Sequence, residues 1–342
     1  MINDIPKFFL SNMFSVIKSS EYGRIGQLTN KEKNFSTPLL FPVVCLVTGT
    51  TARGGGLWKY VLQADQANGL LRRNLPVMSQ VLHFLDFAPN NFKSVEKWRK
   101  LGIKQRYFED VVPQIKYEAP LFLDSGGFQL LSKKSIDLSA YNLSLEGSKG
   151  YQSILRLQEE FGGDIIATLD YPLPPKLIKS EAEDRMNRSL ENAVKSAYTL
   201  QKNQDWSPFL YVAVHGQTRE SIGDYVQQIF EKFKRKKKLK DYRFGLAVGS
   251  LVPLRGAHKY EIIINLIRGL KENIPHKQRS NIPIHVFGIT GTLIPILAYL
   301  GIDTFDSSTY IQEAKSLRYL EPNTRVNKPI LEVEFVLPPL IL

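Results

Sequence analysis

Cysteine is almost absent from this chain of 342 residues, which contains only Cys45. One cysteine cannot form an internal disulfide, and it cannot supply a zinc site that is built from several thiolates. The chain also has no apolar run long enough to cross a bilayer. Its N-terminal sequence, MINDIPKFFLSNMFSVIKSS, lacks the basic start, compact apolar centre and small-residue cleavage site of a secretory signal. We therefore expect a reduced, cytoplasmic protein.

Acidic residues are the minority among the charged ones, since 33 Asp and Glu stand against 45 Lys and Arg, a formal net charge of +12. Such an excess favours a polyanionic partner, with nucleic acid first and a membrane surface second. Charge alone is weak evidence, because many basic proteins bind nothing anionic. Internal repeats and low-complexity linkers are missing as well, so we expect one domain over residues 1–342.

The chain does contain a regular alternation of short apolar runs and helical patterns. Strands are predicted at 40–47, 77–86, 120–123, 164–169, 209–214, 243–248, 283–287 and 302–305. Helices are predicted over 180–198, where Ser180 and Glu183 form a capping box, and over 222–233 and 260–270. Eight strands alternating with helices favour a (β/α)8 TIM barrel over about 36–325, after a short N-terminal hairpin or cap at 1–35. A doubly wound open sheet is the alternative.

Carboxylates and glycines follow the predicted strands at their ends. Asp124, Asp170 and Asp306 follow the runs PLFL, IIATL and IDTF. Three further strands are followed by His215-Gly216, Gly249-Ser250 and Gly288. In a parallel barrel all of these positions lie on one rim, where such folds build active sites. At a single position, an Asp or Gly that only forms a loop is the simpler interpretation, but the whole series favours a site.

The stretch DSGGFQ (124–129) is the most specific of these strand ends. A carboxylate here can transfer protons if its surroundings raise its pKa. Adjacent glycines let the backbone approach a ligand closely, and Phe128 offers a ring on which a flat base can stack. The alternative interpretation is a helix N-cap aspartate, a glycine turn and a core phenylalanine.

DSGGFQ resembles the signature of the tRNA-guanine transglycosylases, and other motifs support this resemblance over roughly residues 20–320. Segments similar to the family's follow in a similar order: GQL (26–28), TP (37–38), FPV (41–43), TGT (48–50), DIIATLD (164–170), VAVHG (212–216), FGLAVGS (244–250), HVFGITGT (285–292) and GIDTFDSSTY (301–310). The resemblance implies a TIM barrel that exchanges a guanine for a 7-deazaguanine at a glycosidic bond.

The same resemblance implies roles for single residues. Asp306 matches the nucleophile that forms a covalent glycosyl-enzyme, and Asp124 matches the general acid/base that protonates the departing guanine. Asp170 matches the carboxylate that accepts hydrogen bonds from the N1–H and 2-amino groups of guanine. The other base-binding positions are Phe128, Ser125, Gly245, Leu246, Phe287 and His215, which stands where the family normally has a glutamine. No redox or nucleotide cofactor is implied.

The C-terminal part departs from the family's pattern. Members usually bind a structural zinc through three cysteines and a histidine after the nucleophile strand, and no cysteine follows Asp306, so no zinc site is expected. Two motifs favour the DNA-modifying branch found in bacteria and phages: GSLVP (249–253) and FDSSTY…AKSLRY (305–319). The lack of room for appended RNA-binding domains favours the same branch. The predicted activity is therefore a DNA-guanine transglycosylase that inserts a preQ0-type base. A tRNA-guanine transglycosylase and a non-catalytic nucleic-acid-binding relative are the alternatives.

Basic residues near the predicted rim are candidates for contacts with the nucleic-acid backbone. Lys315, Arg318 and Arg219 all follow strand ends. The run EKFKRKKKLKDYR (231–243) precedes a strand, which predicts the opposite face, and it is also explained as a solvated helix end. A base within a duplex has to be flipped out, so an accessory DNA-opening protein and a homodimer are possible partners besides free guanine and the free 7-deazaguanine.

Overall fold

The structure is a computed structural model, and it describes the greater part of the chain. The described residues are 13–21, 23–30, 33–44, 75–86, 96, 99–104, 117–132, 136–147, 149–174, 176–203, 205–254, 260–310, 313, 318–320 and 327–329. The motif TGT (48–50) lies outside them. The single-domain prediction stays a prediction.

The described part begins with a three-stranded antiparallel sheet. Its strands are β1 (Phe14–Ser19), β2 (Arg24–Asn30) and β3 (Lys33–Thr37), in that order. The predicted N-terminal hairpin is thus present and gains a third strand. Leu28 is fully buried against the interior of the sheet that follows, and Arg24 Nε donates a hydrogen bond to Asp303 Oδ1 at 2.8 Å. These contacts fix the N-terminal sheet to the rest of the fold.

Eight parallel strands then form a nearly closed barrel. They are β4 (Leu39–Pro42), β5 (Val77–Gln80), β6 (Leu121–Asp124), β7 (Ile165–Ala167), β8 (Phe209–Val214), β9 (Gly245–Val248), β10 (Ile284–Val286) and β11 (Thr304–Ser307). Their spatial order is β4-β11-β10-β9-β8-β7-β6-β5. A parallel bridge between Val43 and Met78 joins the two outer strands. The TIM-barrel prediction is confirmed, and the open-sheet alternative is wrong.

Helices cover the outside of the barrel. They are α1 (Val81–Asp86), α2 (Gln129–Ser132), α3 (Lys149–Glu160), α4 (Lys179–Lys202), α5 (Arg219–Arg235), α6 (Tyr260–Asn273) and α7 (Leu293–Tyr299). A pair of short antiparallel strands, β12 (Arg318–Leu320) and β13 (Asn327–Pro329), follows the barrel. Within the described ranges, none of the helices combines the length and apolar character that a bilayer crossing requires.

Two local predictions differ from the structure. The apolar run 77–86 is a strand only to Gln80 and then becomes α1, because periodicity does not separate a short buried strand from a short buried helix. The capping box at Ser180 is wrong, since α4 begins at Lys179 and its N-cap residue Ile178 makes no side-chain cap. The capping box lies instead at the start of α5, where Thr218 and Ser221 cap each other's backbone N–H groups.

The interior of the barrel is filled with large side chains. Phe122 stacks on Tyr211 with ring centroids 5.4 Å apart, and Phe41 meets the edge of Phe122 at 5.5 Å. A second apolar core lies between the barrel and its helices. Because side chains alternate along a strand, Thr304 and Asp306 face the interior whereas Phe305 joins the outer core. The interior is therefore packed, and a ligand can be held only at its rim.

Candidate active site

Three buried carboxylates meet at the C-terminal rim of the barrel. Asp124 ends β6, Asp170 lies just past β7, and Asp306 lies within β11. Their exposed fractions are 7%, 7% and 6%. The charges of Asp170 and Asp306 both act on Asp124, which shows that the three groups are close together. The structure thus brings these three predicted site residues into one cluster.

Asp124 holds its proton unusually tightly. Burial is the main cause, and the negative charges of Asp170 and Asp306 add to it, so the pKa of Asp124 rises from 3.8 to about 8. A hydrogen bond from the backbone N–H of Gly126 to Oδ2, 3.1 Å long, opposes this rise without cancelling it. At neutral pH the carboxyl group is mostly protonated, which is the state that a general acid needs.

The two glycines of DSGGFQ are both required by close contacts. Gly126 has a φ of +86°, and a Cβ there would lie 2.7 Å from Leu82 Cβ. A Cβ on Gly127 would lie 2.0 Å from Asp170 Oδ1. Gly127 therefore allows Asp170 to approach the DSGGFQ turn.

Phe128 lies at the turn before α2, and 52% of it is exposed. The alternative interpretation of Phe128 as a core residue is therefore wrong. An exposed ring beside a carboxylate cluster is instead available for stacking on a planar ligand.

Asp170 is held by side chains from two neighbouring loops. Its Oδ1 accepts a hydrogen bond from Ser125 Oγ at 3.3 Å, and its Oδ2 lies 2.9 Å from His215 Nε2. Among the described residues, His215 Nε2 makes no hydrogen bond, so this pair is a close contact. His215 Nδ1 lies 3.0 Å from Ser250 Oγ, which accepts a hydrogen bond from the N–H of Leu173. His215 is fully buried, so it lies behind Asp170, where it does not face solvent.

Asp306 is anchored through one of its two oxygens. Oδ1 accepts a hydrogen bond from the backbone N–H of Gly288 at 2.8 Å and lies 3.3 Å from His285 Nε2. Among the described residues, Oδ2 has no hydrogen-bond donor. Sequence reasoning did not single out His285, although a histidine inside the buried strand IHV was a signal for it.

The predicted base-binding residues Gly245 and Leu246 do not reach the rim. Both lie at the start of β9, where a Cβ on Gly245 would meet the ring of Tyr211 at 2.4 Å. Leu246 is buried in the outer core, and its N–H is bonded to a neighbouring strand. The rim position of FGLAVGS is Gly249, where a Cβ would lie 2.7 Å from the ring of His215. The motif resemblance therefore identified the correct strand, but not the residue of that strand that lies at the rim.

Phe287 lies at the rim of the barrel. It follows β10, is partly buried, and meets the ring of His285 edge-on with centroids 4.6 Å apart. It can therefore form an apolar wall beside the carboxylate cluster.

The predicted backbone-contacting residues are only partly described. Arg219 begins α5, and its Nε donates a hydrogen bond to Glu272 Oε2 at 3.1 Å, so a phosphate would have to compete with this ion pair. Lys315 lies outside the described residues, as does the side chain of Arg318 in β12. The basic run 231–243 ends α5 and precedes β9, so it lies towards the face opposite the carboxylates, as predicted.

A structural zinc site of the kind that the resemblance implies does not fit this chain. Such a site needs three thiolates, and the sequence contains one cysteine. Within the described ranges, no group of three or more His, Cys, Asp or Glu side chains is arranged to hold a metal ion.

Comparisons with known proteins identify the family of this chain. A family model described as "Queuine tRNA-ribosyltransferase" matches residues 98–333, which is more than half of the chain. Three similar relatives carry the name "tRNA-guanine(15) transglycosylase". The protein from Thermococcus onnurineus is 26% identical over 325 residues, which is 94% of this chain and 46% of the relative. The protein from Methanosarcina mazei is 25% identical over 92% of this chain and 54% of the relative.

The protein from Methanocaldococcus jannaschii is 25% identical over 90% of this chain and 40% of the relative. The chain thus spans about half the length of the curated relatives that it matches. The family match covers Asp124, Asp170 and Asp306 and the strands that precede or contain them. The chain therefore belongs to the queuine tRNA-ribosyltransferase family.

Proposed function

We propose that this protein exchanges a guanine of tRNA for a 7-deazaguanine through a covalent glycosyl-aspartate intermediate. The observation that carries the proposal is that Asp124 and Asp306 have different surroundings within the carboxylate cluster. Asp124 is protonated near neutral pH, whereas Asp306 accepts two contacts through Oδ1 and leaves Oδ2 without a donor among the described residues. One group is suited to give a proton and the other to attack a carbon atom.

In the first half of the proposed reaction, Asp306 Oδ2 attacks C1′ of the target nucleotide. The C1′–O bond forms as the glycosidic C–N bond breaks, and Asp124 gives its proton to the departing guanine. In the second half, the incoming base attacks C1′ from the side that guanine left, the C1′–O bond breaks, and Asp124 takes up a proton from the new base. Two displacements restore the original configuration at C1′.

Recognition of the base is assigned to the residues beside Asp124. Asp170 can accept hydrogen bonds from both the N1–H and the 2-amino group of guanine. Ser125 donates a hydrogen bond to its Oδ1, and His215 lies against its Oδ2. Phe128 offers an exposed ring for stacking, and Phe287 forms the apolar wall. Gly249, at the rim, takes the base-binding role that the motif resemblance implied for Gly245.

The choice of tRNA over DNA rests on the relatives. The C-terminal motifs favoured DNA, whereas the three relatives carry the name "tRNA-guanine(15) transglycosylase". Because this chain spans only about half of their length, we carry the substrate over as part of the proposal. The net charge of +12 suits either polyanion and does not separate them.

Parallel incubation with tRNA and with duplex DNA tests this proposal. Each reaction contains a free 7-deazaguanine, and the polynucleotide is then digested and its nucleosides are weighed by mass spectrometry. A modified ribonucleoside that is absent with Asp306→Asn supports the proposal. Modification of deoxynucleosides alone would overturn the tRNA assignment in favour of the DNA prediction. Binding without exchange on either substrate would favour the non-catalytic alternative.

A further inference from the structure

A chain of polar side chains descends from Asp306 into the packed interior of the barrel. His285 Nε2 lies 3.3 Å from Asp306 Oδ1, and His285 Nδ1 lies 2.9 Å from Thr304 Oγ1. Thr304 Oγ1 in turn lies 3.2 Å from the hydroxyl of Tyr211. His285, Thr304 and Tyr211 are all fully buried. Three polar side chains are thus linked in series below the carboxylate of Asp306.

The direction of each hydrogen bond follows from the donors available. A carboxylate can only accept, so His285 Nε2 must carry the proton that faces Asp306. A neutral imidazole then has a bare Nδ1, which accepts the hydroxyl proton of Thr304. Burial raises the pKa of Tyr211, so the phenol keeps its proton and donates it to Thr304 Oγ1. Every link has one donor and one acceptor, and together they fix a single tautomer of the histidine.

Filling the interior of a barrel with polar side chains costs free energy, because these groups lose their hydrogen bonds to water. The surrounding interior side chains are Phe41, Met78 and Phe122, and buried polar groups are tolerated only when their hydrogen bonds are made. Apolar side chains would fill the same space without this requirement. The chain ends on the carboxylate that the proposed reaction uses as its nucleophile, which gives the polar residues a purpose beyond packing.

We propose that His285 is a positioning residue for the nucleophile, and that Thr304 and Tyr211 hold it in the required tautomer. This inference rests on the proposed function. The N–H groups of His285 and Gly288 both contact Oδ1, which restrains the rotation of the carboxylate. Oδ2 is then presented to C1′ in one orientation, and the attack does not have to wait for rotation of the side chain.

Variants at position 285 separate positioning from packing. His285→Gln keeps an N–H donor that can reach Asp306, whereas His285→Leu removes the donor and keeps an interior side chain. We expect His285→Leu to slow formation of the covalent adduct roughly 10- to 100-fold, the loss typical when a partner that orients a metal-ligating side chain is removed. We expect His285→Gln to recover most of this rate. KM for tRNA should stay unchanged in both variants, because neither touches the bound polynucleotide.

Two further variants test the rest of the chain. Thr304→Val keeps the shape of the side chain and removes its hydroxyl, so it should slow adduct formation by less than His285→Leu. Phe41→Leu is the matched control, since Phe41 lies in the same interior with its ring 6.4 Å from that of His285 and makes no polar contact with it. This control should leave the rate of adduct formation within about twofold of the wild-type rate, because it leaves the polar chain intact. Equal losses in Phe41→Leu and His285→Leu would overturn the inference in favour of a packing role.

Nitrogen NMR decides the tautomer without any substrate. The chain has five histidines, so the spectrum of 15N-histidine-labelled protein is simple, and the signal missing in His285→Gln assigns residue 285. We expect Nε2 to carry the proton and Nδ1 to be bare. A proton on Nδ1 alone would overturn the inference. If the wild-type protein shows the expected tautomer but exchanges no base on any polynucleotide, the proposed function fails while the positioning of Asp306 by His285 stands.

Discussion

Replacing Asp124 by asparagine should make the protein more stable at neutral pH while it removes the proposed acid. Asparagine is neutral at every pH, is close to the same size, and keeps an oxygen that can accept the N–H of Gly126. It therefore imitates the protonated aspartic acid and cannot give up a proton. The comparison isolates the cost of holding one carboxyl group in this cluster.

The magnitude follows from the pKa of Asp124, which the fold raises from 3.8 to about 8. Between these two values the folded protein keeps a proton that the unfolded chain has released, so the free energy of unfolding falls as the pH rises. The slope is about 1.4 kcal/mol per pH unit. From pH 3.8 to pH 7 the wild-type protein loses on the order of 4 kcal/mol through this group, and Asp124→Asn does not.

Urea unfolding of both proteins between pH 4 and pH 8 measures this effect. The two free energies of unfolding should nearly coincide at pH 4, and the variant should gain steadily up to pH 8. Asp224→Asn removes a carboxylate from the exposed face of α5 and serves as the control. A difference between Asp124→Asn and wild type that is the same at every pH, or a variant that is less stable at pH 7, would refute the burial argument.

Three further changes test other parts of the fold and site. Asp306→Asn should abolish the covalent adduct on denaturing gels, and base exchange that survives it would remove Asp306 from the mechanism. Gly127→Ala should lower affinity for the free base more than tenfold, measured by calorimetry, because its Cβ would lie 2.0 Å from Asp170 Oδ1; unchanged affinity would contradict the role of this contact. Arg24→Ala should cost about 3–5 kcal/mol in urea unfolding, since it removes the guanidinium that is paired with buried Asp303 and leaves only the more distant charge of Lys271, whereas a loss below about 1 kcal/mol would count against that ion pair.

The site could be predicted in part because strand ends are readable in a sequence. In a parallel barrel the fold itself brings the C-terminal end of every strand to one rim. Asp124, Asp170 and Asp306 could therefore be grouped without any knowledge of the distances between them. Gly245 and Leu246 were misplaced because a motif identifies a strand but not which of its residues lies at the rim. The height of each residue in the barrel depends on the register of β9 with β8 and β10.

The amino-acid sequence by itself determined the alternation of strands and helices and, through its motifs, the family of the chain. Those properties are local, because apolar periodicity and strand-end residues lie close together along the chain. Only the tertiary structure decided that Asp124 holds a proton near pH 8 and that His285 lies against Asp306. Both depend on burial and on neighbours from distant strands, which no local pattern contains.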